Sequence, residues 1–82
     1  MKQIKDLKLI KVPVFENGAE IGEKIGMSFE IDSMYFNFFK EEADKLRFTK
    51  DDKKCVVECD LLRFTTSLQD ADLLEDKIIE LT

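Results

Sequence analysis

The side chains of this sequence that could do chemistry are carboxylates, lysines, arginines, two cysteines and one tyrosine, because the chain contains no histidine. Histidine is the commonest general base near neutral pH and the commonest metal ligand. Glu58 and Asp60 are two residues apart, a spacing that puts both carboxylates on one face of a strand, where they could act as an acid–base pair in a cleft. A chain of 82 residues rarely has room for such a cleft. We therefore expect no enzyme activity and no catalytic residue.

The two cysteines, Cys55 and Cys59, are expected to be free thiols with apolar surroundings. On one strand they would lie about 13 Å apart, well beyond the reach of a disulfide bond. Their spacing does not match a two-residue redox motif, and there is no second pair that could complete a zinc site. Gly22 and Gly26 lack the Gly-Lys-Ser/Thr ending of a phosphate-binding loop. The sequence thus predicts no metal and no cofactor.

The net charge of −5 is unevenly distributed along the chain. Residues 1–15 contain four lysines and one aspartate, for a balance of +3, whereas residues 66–82 contain five acidic residues and one lysine, for a balance of −4. Either the two ends attract each other or a neighbouring copy, or they form two separate solvated faces. The acidic total argues against direct binding of nucleic acid, which depends on lysine and arginine contacts to phosphates.

Residues from about 7 to 31 are predicted to form a β-hairpin. Asn17-Gly18 favours a two-residue turn in which both residues have positive φ. Apolar residues alternate on either side of this turn, at Ile10, Val12 and Val14 and then at Ile25, Met27, Phe29 and Ile31. Pro13 cannot donate to a neighbouring strand, which places the first strand at an edge. Leu9 falls in the opposite phase, so the strand needs a bulge nearby.

Residues from about 33 to 47 are predicted to form an amphipathic helix that carries most of the aromatic side chains. At a helical repeat one face would hold Tyr35, Phe36, Phe39, Ala43 and Leu46. Asp32 or Ser33 would cap the first turn. The helix would pack across the sheet, and its apolar face is wider than a small sheet should cover.

A further strand is predicted at about 54–65, because Cys55, Val57, Cys59 and Leu61 alternate with other residues. A change of phase at residues 62–64 indicates a bulge or burial on both faces. A C-terminal helix is predicted at about 69–81, with Ser67 or Asp70 as its cap. Residues 77–81 have a competing interpretation as a short strand. The whole is a small α+β fold of one domain, residues 1–82.

The composition, 44% hydrophobic and 38% charged, is that of a folded, soluble chain without a membrane span or a signal peptide. We expect a cytoplasmic location. The richness in Lys, Ile, Phe and Asp is typical of small proteins from A+T-rich bacteria and their phages, which suggests a phage or mobile-element origin.

The predicted function is non-catalytic binding of a protein partner of unknown identity, as a regulator, inhibitor or adaptor. One alternative is a structural subunit that self-assembles, with a homodimer as its simplest form. Another is an acidic mimic of nucleic acid that inhibits an enzyme. We expect Phe38→Ser to spare folding and abolish partner binding. The predicted partner-binding residues are the exposed aromatic surplus and the acidic row, which comprise Met34, Tyr35, Phe38, Glu42, Asp72, Glu75 and Asp76.

Overall fold

A computed structural model describes residues 1–81, which form two three-stranded antiparallel sheets and two helices. The first sheet has the order β1-β2-β3, and its strands are β1 (Lys5–Glu16), β2 (Ala19–Ile31) and β3 (Met34–Phe39). The short helix α1 (Lys40–Ala43) leads to the second sheet. Its strands, in the order β4-β5-β6, are β4 (Arg47–Lys50), β5 (Lys54–Cys59) and β6 (Leu62–Ser67), and α2 (Leu68–Glu80) follows them. The coarse prediction of a small α+β fold is confirmed.

The predicted hairpin is confirmed in β1 and β2. Asn17 and Gly18 have φ values of 53° and 81°, as the two-residue turn requires. The strand that contains Pro13 lies at the edge of the first sheet. The expected bulge occurs slightly before Leu9, between Lys5 and Lys8, where the pairing with β2 shifts by one residue.

The predicted aromatic helix at about 33–47 is wrong, because most of its aromatic residues form β3. Asp32 and Ser33 do not cap a helix; they have φ values of 53° and 66° and make a second two-residue turn, closed by the pair Ile31 and Met34. Aromatic residues favour strands, and Met34-Tyr35-Phe36-Asn37-Phe38-Phe39 alternates well enough to extend the sheet. Within residues 33–47, only the four residues of α1 are helical.

The predicted strand at about 54–65 is divided in two by a turn at Asp60 and Leu61, which joins the paired residues Cys59 and Leu62. This turn explains the change of phase in the sequence pattern. The C-terminal helix is confirmed, since Ser67 caps α2 by accepting a hydrogen bond from the Asp70 N–H at 3.1 Å. The helix continues to Glu80, so the alternative strand at its end is wrong.

The connection between β4 and β5 is organised by Asp51. Its carboxylate accepts hydrogen bonds from the backbone N–H groups of Lys53 at 2.8 Å and Lys54 at 2.9 Å. These two bonds lower the pKa of Asp51, because they favour the charged form of the carboxyl group. The two hydrogen bonds therefore hold the turn most strongly when Asp51 is ionised.

One hydrophobic core joins both sheets and α2, and Phe29 lies at its centre. The Phe29 ring is fully buried and is stacked on Phe38 at a centroid distance of 5.6 Å. It also lies 6.2 Å from the ring of Phe64 in the second sheet. Full burial of a phenylalanine side chain stabilises a fold by about 1.5–3 kcal/mol, so Phe29 contributes substantially to a core of this size.

The N-terminal residues connect the two ends of the chain. The Lys2 N–H donates to the Thr65 carbonyl at 2.6 Å, and the Ile4 N–H donates to the Asp70 carboxylate at 3.1 Å. The charged end of Lys2, however, pairs with Asp32. The ends therefore lie together through backbone hydrogen bonds, with Asp70 as the one acidic side chain of the tail that takes part in them.

The molecule is elongated, with principal extents of 50 × 25 × 21 Å. Its radius of gyration is 14.0 Å, whereas a compact chain of this length should have a value of about 12 Å. The excess length is due to the β1–β2 hairpin, which extends past the end of β3.

Candidate partner-binding groove

A cavity of about 620 Å³, which we call the groove, opens between the two sheets. One wall is formed by β3 together with the residues that follow it, and the other by β4 and the β5–β6 turn. The residues that line the groove are Phe36, Asn37, Phe38, Glu42, Lys45, Arg47, Cys59, Asp60 and Leu61. Its volume lies within the range of sites that hold small ligands or single side chains of a partner.

The apolar wall of the groove follows from the alternation in β3. Phe36 and Phe38 lie opposite Phe29 and Met27 on β2, and residues that are directly opposite in a sheet project from the same face. Phe38 is only 5% exposed, so its ring supports the wall from within the core. Phe36 is half-buried and presents more of its ring to the groove.

Leu61 forms the opposite lip of the groove. It occupies the two-residue β5–β6 turn, a place where polar residues are usual, and it is 89% exposed. Packing in the isolated chain gives no reason for an apolar side chain at this position. An exposed leucine beside a groove with aromatic walls is typical of an interaction surface.

Four charged side chains surround the apolar walls. Lys45 and Arg47 are positive, and Glu42 and Asp60 are negative. Among residues 1–81 none of the four belongs to an ion pair shorter than 4.0 Å. The groove thus offers both signs of charge to a partner without first breaking an internal salt bridge.

The predicted partner-binding residues are divided among three places. Phe38 and Glu42 line the groove. Met34 and Tyr35 are about 60% exposed at the start of β3 and lie outside the groove lining. The Tyr35 hydroxyl donates to Asp6 at 3.4 Å, and the neighbouring carboxylates of Glu30 and then Asp6 raise the pKa of this tyrosine.

The predicted acidic row lies on α2 and is partly neutralised. Lys50 on β4 makes ion pairs with Asp72 at 3.2 Å and with Glu75 at 2.5 Å. Its hydrogen bonds to Glu75 and then Asp72 raise the pKa of Lys50. Asp76 is exposed to solvent. None of Asp72, Glu75 and Asp76 lines the groove that contains Phe38 and Glu42.

The residues that could do chemistry do not converge. Glu58 is half-buried and lies 3.8 Å from Arg63, while Asp60 belongs to the turn beside the groove. Cys55 and Cys59 are free thiols; burial raises the pKa of Cys55, and Cys59 lines the groove. Within residues 1–81 no group of three or more acidic or cysteine side chains is arranged to hold a metal ion.

Sequence reasoning missed Phe36, Arg47 and Leu61 as functional candidates. The signal for Leu61 was the change of phase after Asp60, which fits a turn with an exposed leucine as well as it fits a bulge. Arg47 and Phe36 had no such signal, because the predicted helix places Arg47 on its solvated face and Phe36 on its core face.

Comparisons of the chain with protein-family models, with curated proteins and with solved structures found no match. In the part of the chain that the structure describes, no helix has the length and apolar character needed to cross a membrane. The class that the fold defines is a small α+β protein with two antiparallel sheets.

Proposed function

We propose that this chain is a non-catalytic protein-interaction module, a regulator, inhibitor or adaptor, that binds an extended segment of a protein partner in the groove. The single observation that carries the proposal is the groove itself, about 620 Å³ between the aromatic wall of β3 and the exposed Leu61. Interface cores are enriched in aromatic side chains with a polar rim, and the groove has both features.

The strand character of β3 favours an extended partner. β3 has β2 on one side only, and alternate residues of an edge strand direct their N–H and C=O groups away from the neighbouring strand. An added strand would gain affinity from these backbone groups and specificity from the pockets that receive its side chains. Asn37 of β3 lines the groove beside Phe36 and Phe38, which supports a partner that runs along this edge.

The charges around the groove support specificity for the partner. Lys45 and Arg47 would attract acidic residues next to the inserted apolar side chain, whereas Glu42 and Asp60 would attract basic ones. Complementary charges mainly raise the association rate and reject wrong partners. We expect binding to weaken as the salt concentration increases, with the apolar contacts retained.

The alternatives have unequal support. An acidic mimic of nucleic acid needs a row of free carboxylates, and Lys50 already binds Asp72 and Glu75. Self-assembly is favoured by the β1–β2 hairpin, on which Phe15 and Ile21 are exposed. A cytoplasmic location remains part of the proposal, because both cysteines are free thiols, as is usual in reducing compartments.

The test is selection of random twelve-residue peptides displayed on phage against the immobilised chain. We expect the selected peptides to contain one large apolar residue flanked by charges and to compete with one another for a single site. They should also slow alkylation of Cys59, which lines the groove. Binding should be lost in Leu61→Ser.

The matched control is Leu73→Ser, because Leu73 is also an exposed leucine, at 51%, but lies on α2 outside the groove. This variant should bind the selected peptides as the wild type does. The proposal is wrong if no peptide is enriched, or if the enriched peptides bind Leu61→Ser and wild type equally well.

A further inference from the structure

The β1–β2 hairpin extends from the body as a two-stranded ribbon, residues 11–25, which we call the arm. β3 pairs with β2 only as far as Gly26, so beyond that point no third strand supports the hairpin. The seven residues from Ala19 to Ile25 span about 23 Å at the rise of a β-strand. This length agrees with the excess of the longest extent, 50 Å, over the next, 25 Å. An isolated two-stranded ribbon is only marginally stable in water, so the arm would gain from a surface that covers it.

The arm exposes more apolar surface than a free ribbon needs. Phe15 is 62% exposed and Ile21 is 60% exposed, and both lie near the tip. Leu9 and Ile25 are partly exposed nearer the body. Single exposed apolar residues are ordinary, but several on one projecting element indicate a contact surface.

Both edges of the arm are protected against simple strand addition. Pro13 lies in the part of β1 that belongs to the arm and has no N–H to offer. On β2 a bulge inserts Ile21 between the pairs Val14–Gly22 and Phe15–Glu20. Proline and bulges are the usual devices that block edge pairing. A partner would therefore contact a face and the tip of the arm.

The face of the arm that carries Phe15 and Ile25 is continuous with the groove. Leu9, Met27 and Phe38 lie opposite one another across the three strands and so project from the same face. By alternation Phe15 on β1, Ile25 on β2 and Phe36 on β3 project from this face too. The groove therefore lies at the base of the arm, on the side from which Phe15 and Ile25 project.

This arrangement is self-complementary. If two copies lie side by side with their arms antiparallel, the tip of each arm reaches the base of the other, where the partner's groove opens. A two-fold axis makes both contacts equivalent and closes the assembly at two copies. The arm is about 23 Å long, and the body across which it would extend measures 25 × 21 Å in its shorter directions.

The charges of the tip and the groove also correspond. The tip carries Glu16 and Glu20, neither of which belongs to an ion pair among the described residues. Lys45 and Arg47 of the groove are unpaired as well. The negative members of the rim, Glu42 and Asp60, have a counterpart in Lys11, which lies further back on the arm and projects from the same face as Ile25.

We propose that the groove is occupied by the arm tip of a second copy of this chain, exchanged reciprocally, so that each copy inserts Phe15 between Phe36 and Leu61 of the other. This inference rests on the proposed function, because it names the partner of the same groove. It predicts a homodimer whose interface contains two identical arm–groove contacts.

Sedimentation velocity over micromolar to submillimolar concentrations tests the dimer. The wild type should change from monomer to dimer as the concentration rises. Phe15→Ser and Leu61→Ser should each weaken the dimer at least about 10- to 30-fold, as removal of a central apolar anchor does. Leu73→Ser should have no effect, and the circular dichroism spectra of all variants should match that of the wild type.

A charge exchange tests the contact directly. One variant carries Glu16→Lys and Glu20→Lys at the tip, and the other carries Lys45→Glu and Arg47→Glu at the groove. Each variant alone should remain monomeric, because like charges face each other. Mixed together, the two should form a heterodimer, since both arm–groove contacts then join opposite charges, and high salt should weaken it.

The outcomes separate this inference from the proposed function. A wild type that stays monomeric but binds the selected peptides in the groove overturns the exchange and leaves the proposed function intact. A dimer that tolerates Leu61→Ser, with no assembly of the charge-exchanged pair, also overturns it, because the interface then lies elsewhere. A monomer that binds no peptide contradicts both.

Discussion

Phe38 and Leu61 line the same groove, yet their replacement by serine should have opposite consequences for stability. Phe38 is 5% exposed and stacks on Phe29 at 5.6 Å, whereas Leu61 is 89% exposed at a turn. The expectation from sequence, that Phe38→Ser spares the fold, therefore changes. We now predict that Phe38→Ser unfolds a large share of the molecules and that Leu61→Ser leaves the fold unchanged.

The magnitude follows from the burial of the two side chains. Truncation of a buried phenylalanine costs about 3–5 kcal/mol, and serine adds a hydroxyl that needs a hydrogen-bond partner. A chain of 82 residues has a total free energy of unfolding of roughly 4–12 kcal/mol. The corresponding fall in Tm is between roughly 12 and 40 °C. Leu61→Ser should change the free energy of unfolding by less than about 0.5 kcal/mol.

Urea unfolding followed by far-ultraviolet circular dichroism measures both variants, because the chain has no tryptophan and its single tyrosine is exposed. Equal slopes against urea concentration would show that the comparison concerns stability and not a change in the unfolded state. A loss of less than about 1 kcal/mol in Phe38→Ser would refute the reasoning, since it would mean that the ring is not part of the core that joins the two sheets.

Three further predictions concern the turns and the thiols. Gly18→Ala should lower the free energy of unfolding by about 1–2 kcal/mol in a urea titration, because φ is +81° and an alanine is strained in this conformation. Apart from the adjacent residues, no atom of the described chain lies within 4 Å of the added methyl group, so the loss would come from the backbone alone, and an unchanged midpoint would contradict this. Asp51→Asn should destabilise the fold at pH 7 in thermal melts. The pKa of Asp51 is lowered in the folded state, so its contribution is present above its ordinary value of 3.8 and fades as the pH falls below that value; a difference that persists at pH 2 would count against it. Iodoacetamide should alkylate Cys59 well before Cys55, whose pKa is raised by burial, and mass spectrometry that finds equal rates would place both thiols in similar surroundings.

The parts of the fold that sequence predicted correctly are those with local signals. Asn17-Gly18 defines its turn by backbone chemistry alone, and Ser67 caps α2 through one hydrogen bond three residues away. Pro13 placed its strand at an edge because proline lacks a donor. Each of these signals needs only a few neighbouring residues, so tertiary contacts do not override it.

The error at β3 has a specific physical cause. Asp32 and Ser33 are good helix caps and also good turn residues, because their side chains satisfy local backbone groups in both settings. The next six residues fit a helical repeat and a strand repeat almost equally. The choice was made by pairing with β2, where Phe36 and Phe38 meet Phe29 and Met27. That pairing joins residues 7 and 11 positions apart across a tight turn, so the repeat within residues 34–39 alone does not reveal it.

The groove could be predicted only in part for the same reason. Phe38 and Glu42 were identified from an aromatic surplus, and they do line it. The facing wall comes from β4 and the β5–β6 turn, which only the arrangement of the two sheets brings opposite β3. The acidic row is predicted to act with them, but none of its residues lines the groove, and Lys50 binds two of them.

The arm and the groove have features that fit each other. A protected edge at Pro13, a bulge at Ile21 and an exposed Phe15 at the tip argue that the hairpin is kept from random strand pairing yet retains one apolar contact. A groove of matching character lies at the base of the same hairpin. Because one chain carries both halves of this contact, concentration alone could control whether the groove is open to another protein or filled by a second copy. A regulator built in this way would be inactive as a dimer and competent to bind its partner as a monomer.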